Sequence, residues 1–85
     1  MYQNTSKDAL HGNAKKLLGQ NVKRIRVSLG LSQEELGLRI GADQAYISRL
    51  ESGQINPTLE TMSELAHSLH TKTQGLLCTK PQTGH

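Results

Sequence analysis

The stretch from Ser32 to Gly53, SQEELGLRIGADQAYISRLESG, constrains the fold of this chain more than any other. It opens with a reciprocal cap: the Ser32 hydroxyl is placed to accept the backbone N–H of Glu35, and the Glu35 side chain to reach back to the N–H of Ser32. Leu31 and Leu36 bracket that box as a hydrophobic staple. Leu36 and Ile40 then fall on one helical face, after which Gly41 supplies the backbone freedom that a sharp reversal into Ala42 requires. Asp43 is the natural cap of a following helix, whose inward positions are Ile47 and Leu50 and whose end is marked by Ser52-Gly53. The spacing predicts two short helices joined by a turn of about three or four residues.

The flanks supply the helices this pair needs to pack against. Residues 1–13 have no sustained apolar period and contain Gly12 and Asn13, which predicts a flexible arm that brings Lys7 within reach of a ligand. From Ala14 to Leu29, Leu18, Val22, Ile25 and Leu29 form one stripe of a first helix, with Val27 on the opposite face. After the loop Gln54–Pro57, Thr58 caps a fourth helix whose stripe is Leu59, Met62, Leu65, Ala66 and Leu69, with Glu60 at its positive end. The pattern breaks over residues 71–74. Leu76 and Leu77 suggest a short fifth helix or turn, and residues 78–85, with Pro81 and Gly84, a flexible tail. At 85 residues the chain is expected to be one small all-α domain, a compact four- to five-helix bundle over residues 14–77.

Composition narrows what such a bundle does. No apolar run approaches the length of a membrane span and the N-terminus lacks the apolar core of a signal peptide, which predicts a cytoplasmic protein with no membrane partner. The single cysteine, Cys78, has no internal partner for a disulfide. Net charge is +3, unevenly placed: within the first 29 residues Lys7, Lys15, Lys16, Lys23, Arg24 and Arg26 face Asp8 alone. Such a cluster suits a phosphate backbone or, equally, a solvated helix face. His67 and His70 stand three apart, yet no third ligand lies at a metal-site spacing, so neither metal nor cofactor is expected. No nucleophile elbow, P-loop or dinucleotide fingerprint is present, which argues against an enzyme. Two tyrosines are the only aromatics, too few for single-strand binding by base stacking.

The residues already named carry a family resemblance: the chain resembles the lambda-repressor-like, Cro-type helix-turn-helix regulators, the XRE family. Counted from Gln33, the motif's apolar positions are filled by Leu36, Ile40, Ala42, Ile47 and Leu50, its small position by Gly37 and its turn glycine by Gly41. Gly37 departs mildly from the alanine more usual there, at about 1 kcal/mol of helix propensity. The likeness runs from about Leu18 to Leu77, through GQNVKRIR, GLSQEEL, YISRLESG and NPTLETM. It implies a sequence-specific regulator that binds double-stranded DNA as a homodimer on a near-palindromic operator, with half-sites about 34 Å apart. An antitoxin-like module that masks a protein partner and autoregulates its operon is the alternative. Leu69, Leu76 and Leu77 are the expected apolar dimer surface.

Helical angle and resemblance agree on the reading face. With Ile47 and Leu50 inward, Ala45, Ser48, Arg49 and Ser52 face outward and Gln44 stands at the helix tip. Gln44 suits adenine, Arg49 guanine and Ala45 a thymine methyl, with Ser48 open. Gln33, at the start of the first motif helix, is expected to bind phosphate and brace Gln44. Tyr46 lies on the flank, where its hydroxyl meets a phosphate or its ring simply packs. The resemblance adds backbone contacts from Ser52, Gln54, Asn56 and Thr58, which position without specifying, and an interhelical ion pair between Arg26 and Glu51.

Overall fold

The computed structural model describes residues 6–71 and 73–76. Five helices follow one another in it: α1 (Ser6–Ser28), α2 (Gln33–Ile40), α3 (Gln44–Glu51), α4 (Leu59–Ser68) and the single turn α5 (Thr73–Leu76). No strand occurs among the described residues. Expectations that fall on Met1–Thr5, Leu77, Cys78 and the tail 78–85, and on the side chain of Lys7, lie outside the described residues.

Local chemistry sets the helix ends. At α2 the Glu35 N–H donates to Ser32 Oγ at 3.0 Å and the Ser32 N–H donates to Glu35 Oε1 at 2.7 Å. That backbone donor, then the Ser32 hydroxyl, hold the Glu35 carboxyl below the ordinary glutamate value. The staple closes beneath the box, with Leu36 fully buried and Leu31 packed against the core. Gly41 ends the helix at φ 73°, a left-handed conformation that a side chain rarely adopts, and the Ala42 N–H returns to Gly37 O at 2.8 Å. Asp43 caps α3 through the Tyr46 N–H at 2.8 Å, and Thr58 caps α4 through the Thr61 N–H at 3.1 Å.

Helix α1 differs from the sequence reading at both ends. It continues back to Ser6 through the stretch read as an arm. No proline interrupts that stretch, and Gly12 costs only about 1 kcal/mol within a helix. It stops at Ser28, where the Leu31 N–H reaches Arg26 O at 3.0 Å over Gly30. Leu29 therefore leaves the stripe and is 43% exposed, while Arg26 takes an inward place.

Leu18, Val22, Leu36, Ile47, Leu50, Met62, Leu65, Ala66, Leu69 and Leu76 close one core. Each fully buried aliphatic side chain contributes about 1.5–3 kcal/mol. Leu69 and Leu76 are essentially inaccessible within this core, which corrects their assignment to a dimer surface. Leu59 is also corrected: as the first residue of α4 it points away from the bundle and is 83% exposed. The fifth helix is tied down by a polar contact that periodicity does not reveal, buried Asn21 Nδ2 donating to Leu76 O at 2.8 Å.

Two glycines allow backbones to approach closely. A methyl group on Gly19 would lie 2.5 Å from Leu50 O and 2.7 Å from Glu51 O, so α1 and the end of α3 meet main chain to main chain. One on Gly37 would lie 2.8 Å from Ala42 O. At position 37 the space required by the turn outweighs the propensity that alanine would add.

Candidate nucleic-acid interface

The outward face of α3 follows from its inward one. At about 100° per residue, burying Ile47 and Leu50 turns Ala45, Ser48 and Arg49 to solvent, and all three are exposed, as are Gln44 and Ser52. Gln44 lies on the flank beside α2. Arg49 lies on the other flank, where it shares a shallow cleft with Asp43, Tyr46, the turn residues Gly41 and Ala42, and Thr61. Tyr46 is half-buried there, its ring packed on the core.

Behind this face stands a continuous polar chain. Arg26 Nε donates to Glu51 Oε2 at 2.6 Å and Arg26 Nη2 to Glu51 Oε1 at 3.1 Å, a two-pronged pair between α1 and α3. Its side chains are only 10% and 4% exposed, and the remaining arginine nitrogen, Nη1, donates to Leu31 O at 2.6 Å. A pair this enclosed demands full hydrogen bonding, because a buried charge left without partners costs several kcal/mol. Glu51 Oε1 also accepts from Gln33 Nε2 at 3.1 Å, and Gln33 Oε1 accepts from Gln44 Nε2 at 2.6 Å. Three helices thus meet in one line of donors and acceptors that begins in the core and ends at the tip of α3.

The remaining candidates divide by what already engages them. The Ser52 hydroxyl donates to the carbonyls of Ser48 and Arg49 at 3.0 and 3.2 Å and accepts from Gln54 Nε2 at 2.9 Å, so it finishes its own helix. Thr58 Oγ1 caps α4 and donates to Thr61 Oγ1 at 3.0 Å. Gln54 and Asn56 are exposed on the loop after α3. Lys23 entered the sequence reading only as charge, yet it lines one cleft with Gln33, Ser48, Glu51 and Ser52. Its position three residues before Arg26, on the same side of α1, is the signal that locates it.

No group of three or more His, Cys, Asp or Glu among the described residues is arranged to hold a metal. His70 has already left α4, with φ at 57°, so the two histidines are not neighbours on one helix. No helix among the described residues is long and apolar enough to cross a membrane.

Comparison with known proteins adds an independent line. The helix-turn-helix family profile matches residues 22–76. An uncharacterized HTH-type transcriptional regulator of Sinorhizobium fredii is 49% identical over 55 residues, 65% of this chain and 71% of that protein. The crystal structure of a hypothetical transcription factor from Neisseria superposes with a TM-score of 0.72 at 32% identity, covering 76% of this chain and 75% of the other. The restriction-modification controller protein C.AhdI of Aeromonas hydrophila superposes at 0.68 with 34% identity, over 72% of this chain and 92% of its own. Reciprocal capping box, left-handed turn glycine, the exposed face of α3 and these likenesses converge: the chain belongs to the helix-turn-helix family of DNA-binding transcriptional regulators.

Proposed function

We propose that the protein controls transcription by laying α3 in the major groove of a specific operator, with Gln44, Ala45, Ser48 and Arg49 facing base edges. The observation that carries this reading is the pairing of an exposed α3 face with a rigid base, since Gln44 is held by Gln33 and Gln33 by the enclosed Arg26–Glu51 pair. A reading head needs both: side chains free to meet bases and a scaffold that holds them within a fraction of an ångström. Arg49 matches the two acceptors of guanine, and Gln44 the donor and acceptor of adenine.

Around that head, Gln33, Tyr46, Ser52, Gln54, Asn56 and Thr58 set the register against phosphates, joined by Lys23 from α1. Gln33 serves both tasks, because the second hydrogen of its Nε2 is not used by Glu51. Thr58, whose hydroxyl proton is already engaged, contacts phosphate through the backbone amides that open α4. Ser52, whose neighbouring amides already donate to carbonyls of α3, does so by turning its hydroxyl outward from Ser48 O and Arg49 O.

One module offers few base contacts, so the working unit is a homodimer on a near-palindrome with half-sites about one helical turn apart. Burial of Leu69 and Leu76 removes them from its interface. The likeness to a restriction-modification controller supports a role at promoters of compact bacterial operons, in the cytoplasm, by binding alone.

Fluorescence anisotropy with the DNA upstream of the protein's own gene and a shuffled copy tests the proposal, over about 50–200 mM salt. Tight binding confined to the native sequence is expected. Equal binding to both duplexes that collapses with salt would reduce the surface to a nonspecific basic patch. Sedimentation that shows a strict monomer on and off DNA would refute the two-half-site arrangement.

A further inference from the structure

The polar chain behind α3 has a direction. Glu51 is a carboxylate locked by Arg26 and offers only acceptors, so the Gln33 amide must turn its Nε2 toward it. Gln33 Oε1 is then the atom that faces Gln44, and Gln44 must in turn present Nε2 to it, at 2.6 Å. Among the described residues nothing donates to Gln44 Oε1. An amide that would otherwise flip between two orientations of similar energy is set in one.

We propose that Glu51 is a positioning residue for sequence recognition: through Gln33 it fixes the Gln44 amide with its acceptor toward the groove, biasing the base met there toward adenine or cytosine. The inference rests on the reading of α3 as the groove helix. Adenine is matched twice, its N6 amino facing Gln44 Oε1 and its N7 the second Nε2 hydrogen, and cytosine once through its N4 amino. Guanine O6 and thymine O4 bring an acceptor against an acceptor. A charge enclosed beneath the motif thereby sets the hydrogen-bond polarity at its tip, although it does not reach DNA.

The test uses the full chain and a pool of randomised duplexes selected by the wild-type protein. The base position that loses its preference in Gln44→Ala is identified, and all four bases are placed there for wild type, Gln33→Leu and Glu51→Gln. Gln33→Leu leaves the Arg26–Glu51 pair intact, so it remains informative where Glu51→Gln unfolds. Wild type is expected to favour amino over keto bases by about tenfold or more. In Gln33→Leu that ratio falls toward unity, while the position read by Arg49 keeps its preference. In folded Glu51→Gln the ratio falls or inverts, because an amide at 51 can donate to Gln33 and reverse both glutamines.

A DNA-free arm uses 15N-labelled protein. The Gln44 side-chain amide should shift away from its random-coil position in wild type and return to it in Gln33→Leu. A random-coil Gln44 amide in wild type, a keto preference in wild type, or an unaltered ratio in the folded variants would overturn the inference alone. Equal binding of every duplex by wild type would overturn both it and the reading beneath it.

Discussion

Replacing Arg26 with alanine isolates the contact on which the interface is mounted. The substitution removes two hydrogen bonds to Glu51, at 2.6 and 3.1 Å, and one to Leu31 O at 2.6 Å. It leaves a carboxylate that is 4% exposed with Gln33 as its one remaining side-chain donor among the described residues. An ion pair broken in this way costs about 3–5 kcal/mol, most of it the desolvation of the stranded charge. A domain of this size has only about 4–13 kcal/mol in all, so the variant should sit near the edge of folding. At about 4–8 °C per kcal/mol, its melting temperature should fall by at least about 12 °C, followed by far-UV circular dichroism in parallel with urea titration. A companion, Arg26→Met with Glu51→Leu, should recover most of the loss by exchanging the pair for apolar packing. A loss below about 1 kcal/mol for Arg26→Ala is what a solvent-exposed pair gives. It would refute the argument that enclosure makes this contact expensive to break.

Other perturbations separate stability from recognition. Gly19→Ala should destabilise by about 1–3 kcal/mol in urea titration, because the new methyl meets the carbonyls of Leu50 and Glu51, which have no flexible side chain to yield; unchanged stability would contradict so close a helix contact. Arg49→Ala should lower affinity for the selected duplex by about 1–3 kcal/mol and relax one base position, whereas Gln54→Ala should weaken all duplexes alike by anisotropy; no change of preference in Arg49→Ala would remove it from the reading set. The Glu35 carboxyl, held below its ordinary value by the Ser32 N–H and hydroxyl, stabilises the fold above about pH 4.3, where an unfolded glutamate titrates. That contribution disappears as pH falls through the lower folded value. A carboxyl-carbon NMR titration should therefore place the Glu35 midpoint below the ordinary glutamate value, and Ser32→Ala, which keeps the N–H and loses the hydroxyl, should restore only part of the difference; an ordinary midpoint in the wild-type protein would dissolve the capping-box explanation.

The parts legible in sequence are those decided within one or two helical turns. Ser32, Glu35, Gly41, Asp43 and Thr58 meet partners at most five residues away, so identity and spacing determine the geometry. The interior positions Val22, Ile47 and Leu65 followed the same logic through periodicity. Leu29 and Leu59 did not, because an end residue faces the core only if another element stands opposite it, and neither finds one. Leu69 and Leu76 pass for a partner surface because, although a short fifth helix or turn is expected there, nothing in the local spacing shows that it returns to the core and leaves both leucines buried. The Asn21–Leu76 bond spans 55 residues and has no pattern to be found by. The Arg26–Glu51 pair was expected from family likeness, yet its enclosure and its extension through Gln33 depend on how three helices converge. Lys23 was visible as a charge but not as a neighbour of Ser48 and Ser52.

The missing side chain at Gly19 also has a mechanical meaning. With main chain resting on main chain, α1 and the C-terminal end of α3 cannot slide or rock without driving carbonyl oxygens into Cα, and the two helices behave as one stiff lever. A probe of that stiffness does not mould itself to a misfitting target. Strain in the complex is carried by the duplex instead, so the ease with which an operator bends and twists enters its affinity even at base pairs no side chain touches. An atom that is absent where α1 meets α3 thus helps decide which DNA is soft enough to be read.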